Sequence, residues 1–284
     1  MKMINNITIV IVTYNSAKWI ANCLQSVFRT EYKNFNVIVV DNASGDESAT
    51  IITKEFPQAK LIQLKDNVGF SGGNNIGIQQ ALEDGSDAVV LLNPDTQVKE
   101  NWLDELVKAS HPNEVGITQA MLLLGDDKFL TNNVGNAMHY LGFGFVKHYK
   151  ESFDNWRDKE PFDIGYASGA AMLIKKEVIQ QIGYFDAKLF MYNDDEDFCW
   201  RSRMAGYRII IAPKSIVYHY YEFSRNKLKF YWNERNRWIL LLQNYSAKTL
   251  FIILPMLIII EFMMFFYSLI GGWIHLKIKS YFWI

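Results

Sequence analysis

Four short apolar runs each break off into a polar loop, and that alternation constrains the fold of this 284-residue chain more than any other feature. Residues 7–12 (ITIVIV), 37–40 (VIVV), 60–64 (KLIQL) and 88–92 (AVVLL) are rich in β-branched side chains, as buried strands of a parallel sheet are. Residues 17–28, 46–55, 71–82 and 101–109 carry helical spacing between and after them, and 115–120 adds a further strand. In the first helix Trp19, Ile20, Cys23, Leu24 and Val27 form one apolar stripe, with Asn15 or Ser16 as cap. Asp46 is placed to cap the second. This βαβα order predicts an α/β fold with a mostly parallel sheet and helices on both faces. In such sheets ligands sit outside the carboxyl ends of the strands.

The polar stretches fall at those ends: TYNS after the first run, DNASGD after the second, KDNVGFSGGNN after the third and NPDT after the fourth. No GxGxxG or GxxxxGK[ST] pattern accompanies them, which disfavours a dinucleotide fingerprint and a P-loop. An aspartate after the second strand can accept hydrogen bonds from a nucleobase or ribose. An aspartate after the fourth can hold a divalent ion that bridges two phosphates. Together they suit a nucleoside diphosphate whose departure needs charge neutralisation.

A net charge of −1 argues against nucleic acid as a partner and confines electrostatic function to local groups. With half the residues hydrophobic, global disorder is excluded. Cys23 and Cys199 stand far apart, with neither zinc-ligand spacing nor a disulfide framework, which fits a reducing compartment. The apolar run near the N-terminus passes directly into polar residues and reads as a core strand, not a signal peptide.

The motifs TYN (13–15), DNASGD (41–46), NVGFSGGNNIGI (67–78), LLNPDT (91–96) and FMYNDDEDFCWRSRMAGY (190–207) stand in order along the chain. Together they resemble the family 2 glycosyltransferases of GT-A fold, and most closely the rhamnosyltransferase-like enzymes of cell-surface polysaccharide assembly. The resemblance implies a GT-A type, Rossmann-like sheet in residues 1–222, with a nucleotide-binding half (1–120) and an acceptor and catalytic half (121–222). It implies inverting transfer from a dTDP-, UDP- or GDP-linked sugar, with Mg²⁺ or Mn²⁺. Thr13 and Tyr14 would line the base pocket and Asp41 would bind the base. Asn67, Gly69, Gly72, Gly73, Asn74 and Asn75 would shape the nucleotide and sugar pocket. Asp95 would bind the metal, with His219 completing its shell, and Asp195 would be the catalytic base with Asp194 beside it. Two positions depart from the family pattern. Asn93 replaces the first aspartate of Asp-x-Asp, and Asn74 stands where an arginine often meets the diphosphate. Taken alone, Asp41 and Asp95 read equally well as turn or cap residues, and His219 as a partly buried histidine.

In the run Asp194–Asp195–Glu196–Asp197 the first turn of a helix favours acidic side chains. Asp197 is spaced for an ion pair with Arg201, Glu196 is expected at the surface, and Asp195 is expected to face inward with Phe198 and Cys199. Residues 121–165 read as an acceptor-side insertion. Residues 223–284 read as a basic helix followed by a hydrophobic membrane segment. Arg225, Lys227, Lys229, Arg235 and Arg237 are expected to meet anionic lipid or a lipid pyrophosphate. Residues 250–274 are long enough to cross a bilayer, although Glu261 opposes a span and Pro255 suggests a kink; a buried helical hairpin or an in-plane anchor is the alternative. The partners expected are a nucleotide sugar, a lipid-linked saccharide and, at the cytoplasmic face of the plasma membrane, the bilayer itself. Two competing readings remain at this stage: a nucleotidyltransferase that makes sugar nucleotides, and a membrane-anchored scaffold that binds them without turnover.

Overall fold

The computed structural model describes residues 4–221 and 227–283. The runs at 7–12, 37–40 and 88–92 form strands buried on both faces, as their unbroken hydrophobicity requires, whereas the run at 60–64 forms a partly exposed edge strand. β1 (Ile7–Thr13) lies parallel to β2 (Phe35–Asp41) and to β4 (Ala88–Leu92), and β2 lies parallel to β3 (Lys60–Gln63). The β1–β2 register sets Thr13 opposite Asp41, so both polar side chains reach the same sheet end. α1 (Ile20–Phe28) and α2 (Ser48–Glu55) follow β1 and β2. α3 (Gly69–Glu83) begins two residues before the sequence spacing suggests, because Gly69 adopts φ +78° and Asn67 Oδ1 accepts its N–H at 2.8 Å. Gly72, Gly73, Asn74 and Asn75 are therefore helical. A Cβ at Gly73 would come within 2.7 Å of Val12, so this glycine lets α3 lie close on the sheet.

The sheet is mixed: antiparallel strands enter the mostly parallel order that the sequence predicts. β5 (Thr96–Val98), α4 (Trp102–Ala109) and β6 (Val115–Leu124) follow β4. β7 (Thr131–Asn133) pairs with β6, and β8 (Asn136–Met138) forms a separate hairpin with β9 (Gly144–Val146). β10 (Phe162–Asp163) is an edge strand. β11 (Ala171–Lys175) runs antiparallel between β4 and β6 and leads into α5 (Lys176–Ile182). After α6 (Asp194–Met204), β12 (Arg208–His219) lies parallel to β6 and antiparallel to β5. The main strand order is β10-β12-β6-β11-β4-β1-β2-β3. One apolar layer, with Ile9, Leu24 and Trp102, covers one face; another, with Ile78, Ile174 and Phe198, covers the other.

The C-terminal part is three helices: α7 (Leu228–Asn244), α8 (Ala247–Ile270) and α9 (Ile274–Tyr281). α8 continues through Pro255 and ends before Gly271 and Gly272, so the apolar helix stops short of residue 274. Arg225 and the boundary drawn at 222 lie outside the described residues. Arg235 and Arg237 do not face outward as expected; both are buried. Arg235 donates to the carbonyl of Leu189 at 2.9 Å, and Arg237 donates to that of Leu141 at 3.2 Å. Each caps a loop of the α/β part of the chain where the helix meets it.

Candidate active site

The acidic run is placed by a strained loop. Phe190, Tyr192 and Asn193 all adopt positive φ, between 58° and 66°, just before α6. Such backbone persists only where its surroundings hold it. Asn236 of α7, fully buried, does so: its Nδ2 lies 2.9, 2.8 and 2.7 Å from the carbonyls of Leu189, Met191 and Tyr192. Asp194 and Asp195 consequently enter the interior at the first turn of α6.

Asp194 is buried, and its Oδ2 accepts the Ser71 hydroxyl at 3.0 Å. Asp195 keeps part of its surface open to a cavity while protein surrounds the rest of its carboxylate. Its Oδ2 accepts the Gly169 N–H at 3.2 Å and its Oδ1 accepts that of Glu196 at 2.9 Å. Burial raises both carboxyls. It pushes Asp194 to about 7, helped by the negative charge of Asp195, and Asp195 to about 6 against the pull of its N–H donors. The two titrate as a pair.

Glu196 corrects a sequence expectation. It is fully buried, not exposed, and accepts from Asn193 Nδ2 at 2.8 Å. Burial raises it to about 8. The αL conformation of Asn193 rotates the start of α6, so the face that would carry Glu196 to solvent turns toward Tyr166 and Gly144. Asp197 forms its expected pair with Arg201 at 2.9 Å.

A second cluster forms because β5 pairs with the end of β12, which sets Thr96 opposite His219. His219 Nε2 lies 3.4 Å from Asp95 Oδ1. On the other side of the ring, Nδ1 faces Asn132 Oδ1 at 3.2 Å. With an amide oxygen there, Nδ1 carries the proton and Nε2 presents its lone pair. That buried lone pair has no hydrogen-bond partner, and the nearest atom of Asp95 is a second acceptor. Two acceptors so placed need a proton or a cation between them. Imidazole nitrogen plus carboxylate oxygen suits Mn²⁺ or Mg²⁺. No group of three His, Cys, Asp or Glu side chains forms a complete protein cage among the described residues, so other oxygens must fill the shell.

At the ends of β1 and β2, Thr13 Oγ1 and Asp41 Oδ1 are both buried without a hydrogen-bond partner. Such atoms are costly unless a ligand meets them. Tyr14 beside them is half exposed. Asn42 holds the neighbouring loop: its Nδ2 donates to the Gly69 carbonyl at 2.9 Å and its Oδ1 accepts the Val68 N–H at 2.9 Å.

A cavity of about 740 Å³ brings together Asn93, Asp194, Asp195 and His219 with Asn132 and Gly169. It does not reach Thr13, Tyr14 or Asp41. The remaining positions have packing contacts: Asn74 is buried and donates to the Phe70 carbonyl at 2.9 Å. Asn75 uses both amide atoms on the backbone of Phe185. A Cβ at Gly72 would meet Val68 at 2.9 Å. Sequence reasoning missed Asn42, Ser71, Asn132 and Asn236. Asn42 and Ser71 lay inside quoted motifs; Asn132 and Asn236 act across long sequence separations, and nothing local marks them.

Residues 8–183 match the sequence profile of glycosyl transferase family 2. The chain is 27% identical over 211 residues to the low-salt glycan biosynthesis hexosyltransferase Agl10 of Haloferax volcanii, covering 73% of this chain and 64% of that relative. It is 24% identical over 236 residues to the N-acetylglucosaminyl-diphospho-decaprenol L-rhamnosyltransferase of Mycobacterium tuberculosis, covering 77% of each. Its fold superposes on the crystal structure of GalNAc-T7 with UDP, GalNAc and Mn²⁺ at a TM-score of 0.66 and 15% identity, over 84% of this chain and 48% of that one. With the family match spanning well over half of its length, the chain belongs to glycosyl transferase family 2.

Proposed function

We propose that this protein is an inverting glycosyltransferase that moves a hexosyl or rhamnosyl unit from a nucleotide sugar to a lipid-linked glycan in cell-surface polysaccharide assembly. The observation that carries the reading is Asp195: a carboxylate open to a cavity, raised toward neutrality by burial, whose cavity also holds His219 of the Asp95–His219 pair. A general base works best when its pKa lies near the working pH.

In the reaction Asp195 takes the proton of an acceptor hydroxyl, and that oxygen attacks the anomeric carbon from the face opposite the nucleotide. The bond from that carbon to the diphosphate breaks, its electrons leave with the nucleoside diphosphate, and the configuration inverts. Asp194 sits beside the base, and the charge on Asp195 keeps the Asp194 carboxyl protonated to higher pH. Thr13 and Asp41 meet the nucleobase; the free carboxylate oxygen of Asp41 suits a ring N–H, as uracil, thymine and guanine possess. Asn93 faces the donor as a neutral amide. Asp95 and His219 would hold a divalent cation, which would supply positive charge to the departing diphosphate.

The crystal structure of GalNAc-T7 contains Mn²⁺ and UDP, and the mycobacterial relative acts on a diphospho-decaprenol, which supports the metal and the class of acceptor. An apolar helix of 24 residues and two free, buried cysteines support a site at the cytoplasmic face of the plasma membrane. The test is a thermal-shift series of UDP-, dTDP- and GDP-linked sugars with and without Mn²⁺. One donor should raise Tm only when Mn²⁺ is present; no shift with any donor would overturn the reading.

A further inference from the structure

α8 is the most apolar element of the protein, and it lies along the catalytic domain rather than standing away from it. Leu250, Ile253, Leu257, Glu261, Met264 and Ser268 recur at helical spacing and turn inward. Their partners show that α8 runs antiparallel to α7 over its length: Leu241 packs with Leu257 at one end, Arg237 pairs with Glu261 at the middle, and Phe230 meets Tyr267 at the other, with ring centroids 6.4 Å apart. α9 then folds back, and Lys277 closes the set on Glu234 and Glu261.

α7 in turn is bonded to the catalytic domain through Asn236 and, at 3.0 Å, through Asn244 to Asp197. An α8 standing across a bilayer would draw α7 and the loop before α6 into hydrocarbon. Glu261, the acid that opposed insertion, is directed at Arg237 and Lys277 instead of outward.

The outward surface is continuous and uncharged. Phe251, Ile252, Ile258, Phe262, Phe266 and Ile270 are all exposed, Ile270 by 87%; with Leu254 and Tyr267, also exposed, they span roughly 220° of the helix circumference, too much for one flat protein partner to cover. Phe282 continues the ridge. Glu261 is the sole acid in residues 247–283, while Lys248 and Lys279 are exposed. A hairpin adds to this surface: Phe145 and Val146 of β9 are half exposed, and Phe143 before them packs against the α7–α8 contact. The active-site cavity passes between the two elements, lined by Phe143 and Val146 on one side and Met264 and Tyr267 on the other.

We propose that α8 and the β8–β9 hairpin bed in the surface of an anionic bilayer with α8 parallel to its plane, so that the cavity mouth between them opens onto lipid. The interfacial region accepts such a helix to a depth of roughly 5–10 Å. An acceptor carried on a lipid then reaches Asp195 from the membrane side without leaving it. This last step rests on the function proposed above; the bedding of α8 does not.

The test uses the full chain with vesicles of phosphatidylglycerol and phosphatidylethanolamine. Cys23 and Cys199 are buried, so a fluorophore on Phe251→Cys, Phe262→Cys or Ile270→Cys reports one place on α8. All three should be quenched more by a quencher near the headgroup than by one deep in the acyl chains. A deep position for the probe at 262 with shallow ends would show a span and overturn the proposal. No quenching, with a doubling of the mass in solution, would show a second copy on this face and overturn it equally. The double variant Phe262→Glu, Phe266→Glu should lose vesicle flotation by about tenfold or more while keeping Mn²⁺-dependent donor binding. Failure of donor binding in the parent protein would count against the proposed function and leave the depth measurement standing.

Discussion

His219 Nε2 and Asp95 Oδ1 face each other at 3.4 Å with no proton donor between them, because Asn132 holds the imidazole proton on the far nitrogen. The pair exists through strand register: β5 brings the residue after Asp95 opposite His219 at the end of β12. A buried ring nitrogen and a partly exposed carboxylate oxygen at this distance are the pair proposed above to hold a cation.

Asp95→Ala should abolish Mn²⁺-dependent donor binding. Asn132→Ala, which removes only the group orienting His219, should weaken Mn²⁺ affinity by about 10–100-fold. Calorimetric titration of Mn²⁺ in the presence of the donor reads both. Unchanged affinity in Asn132→Ala would mean that the ring needs no second partner.

The pH dependence of transfer should show one acidic limb with an apparent pKa near 6, belonging to the Asp194–Asp195 pair. Activity rises with pH as the base loses its proton. Asp194 is still protonated where Asp195 ionises, so Asp194→Asn should leave the limb in kcat/KM profiles near 6. A limb that moves to lower pH would show that Asp194 is charged where the base titrates.

The same carboxyls lower stability at working pH. Asp194, at about 7, and Glu196, at about 8, are raised above the ordinary carboxylate range. The folded state therefore holds protons that the unfolded chain releases. That contribution is complete below the unfolded pKa and is lost as pH rises through the folded values. Asp194→Asn should melt at a higher temperature than the parent at pH 8, by roughly 2–4 °C for each kcal/mol relieved. The gain should vanish near pH 4. An equal gain at both pH values would rule out titration as its cause.

Asn236→Leu leaves the carbonyls of Leu189, Met191 and Tyr192 without their donor and should cost about 1–3 kcal/mol. Because that loop aims Asp195, kcat should fall while donor KM stays the same. Differential scanning calorimetry and steady-state kinetics separate the two effects. A matched rise in donor KM would show that the loop serves binding instead.

Much of the frame was legible in the sequence. Continuous β-branched runs have few alternatives to buried parallel strands, and the polar loops after them mark the ligand end of the sheet. Ion pairing of Asp197 with Arg201 follows from helical spacing alone. The antiparallel insertion of β11 was not legible, because a short apolar run has the same composition in either direction. Glu196 was misplaced for a backbone reason: no residue pattern signals that Asn193 takes φ 58° and turns the helix start. Arg235 and Arg237 read as a basic patch for anionic lipid or a lipid pyrophosphate because their carbonyl and carboxylate partners come from distant segments. The glycines of α3 carry two meanings in one stretch. Gly69 bends the chain at the cleft, whereas Gly73 makes room for Val12.

The central claim is that Asp195 is the base of a glycosyl transfer. Its most direct measurement is transfer of labelled sugar from the donor found by thermal shift to a lipid extract, comparing the parent protein with Asp195→Asn. The account predicts a loss of about 10²–10⁴-fold in transfer, with Mn²⁺-dependent donor binding unchanged. Near-normal transfer by Asp195→Asn would contradict it.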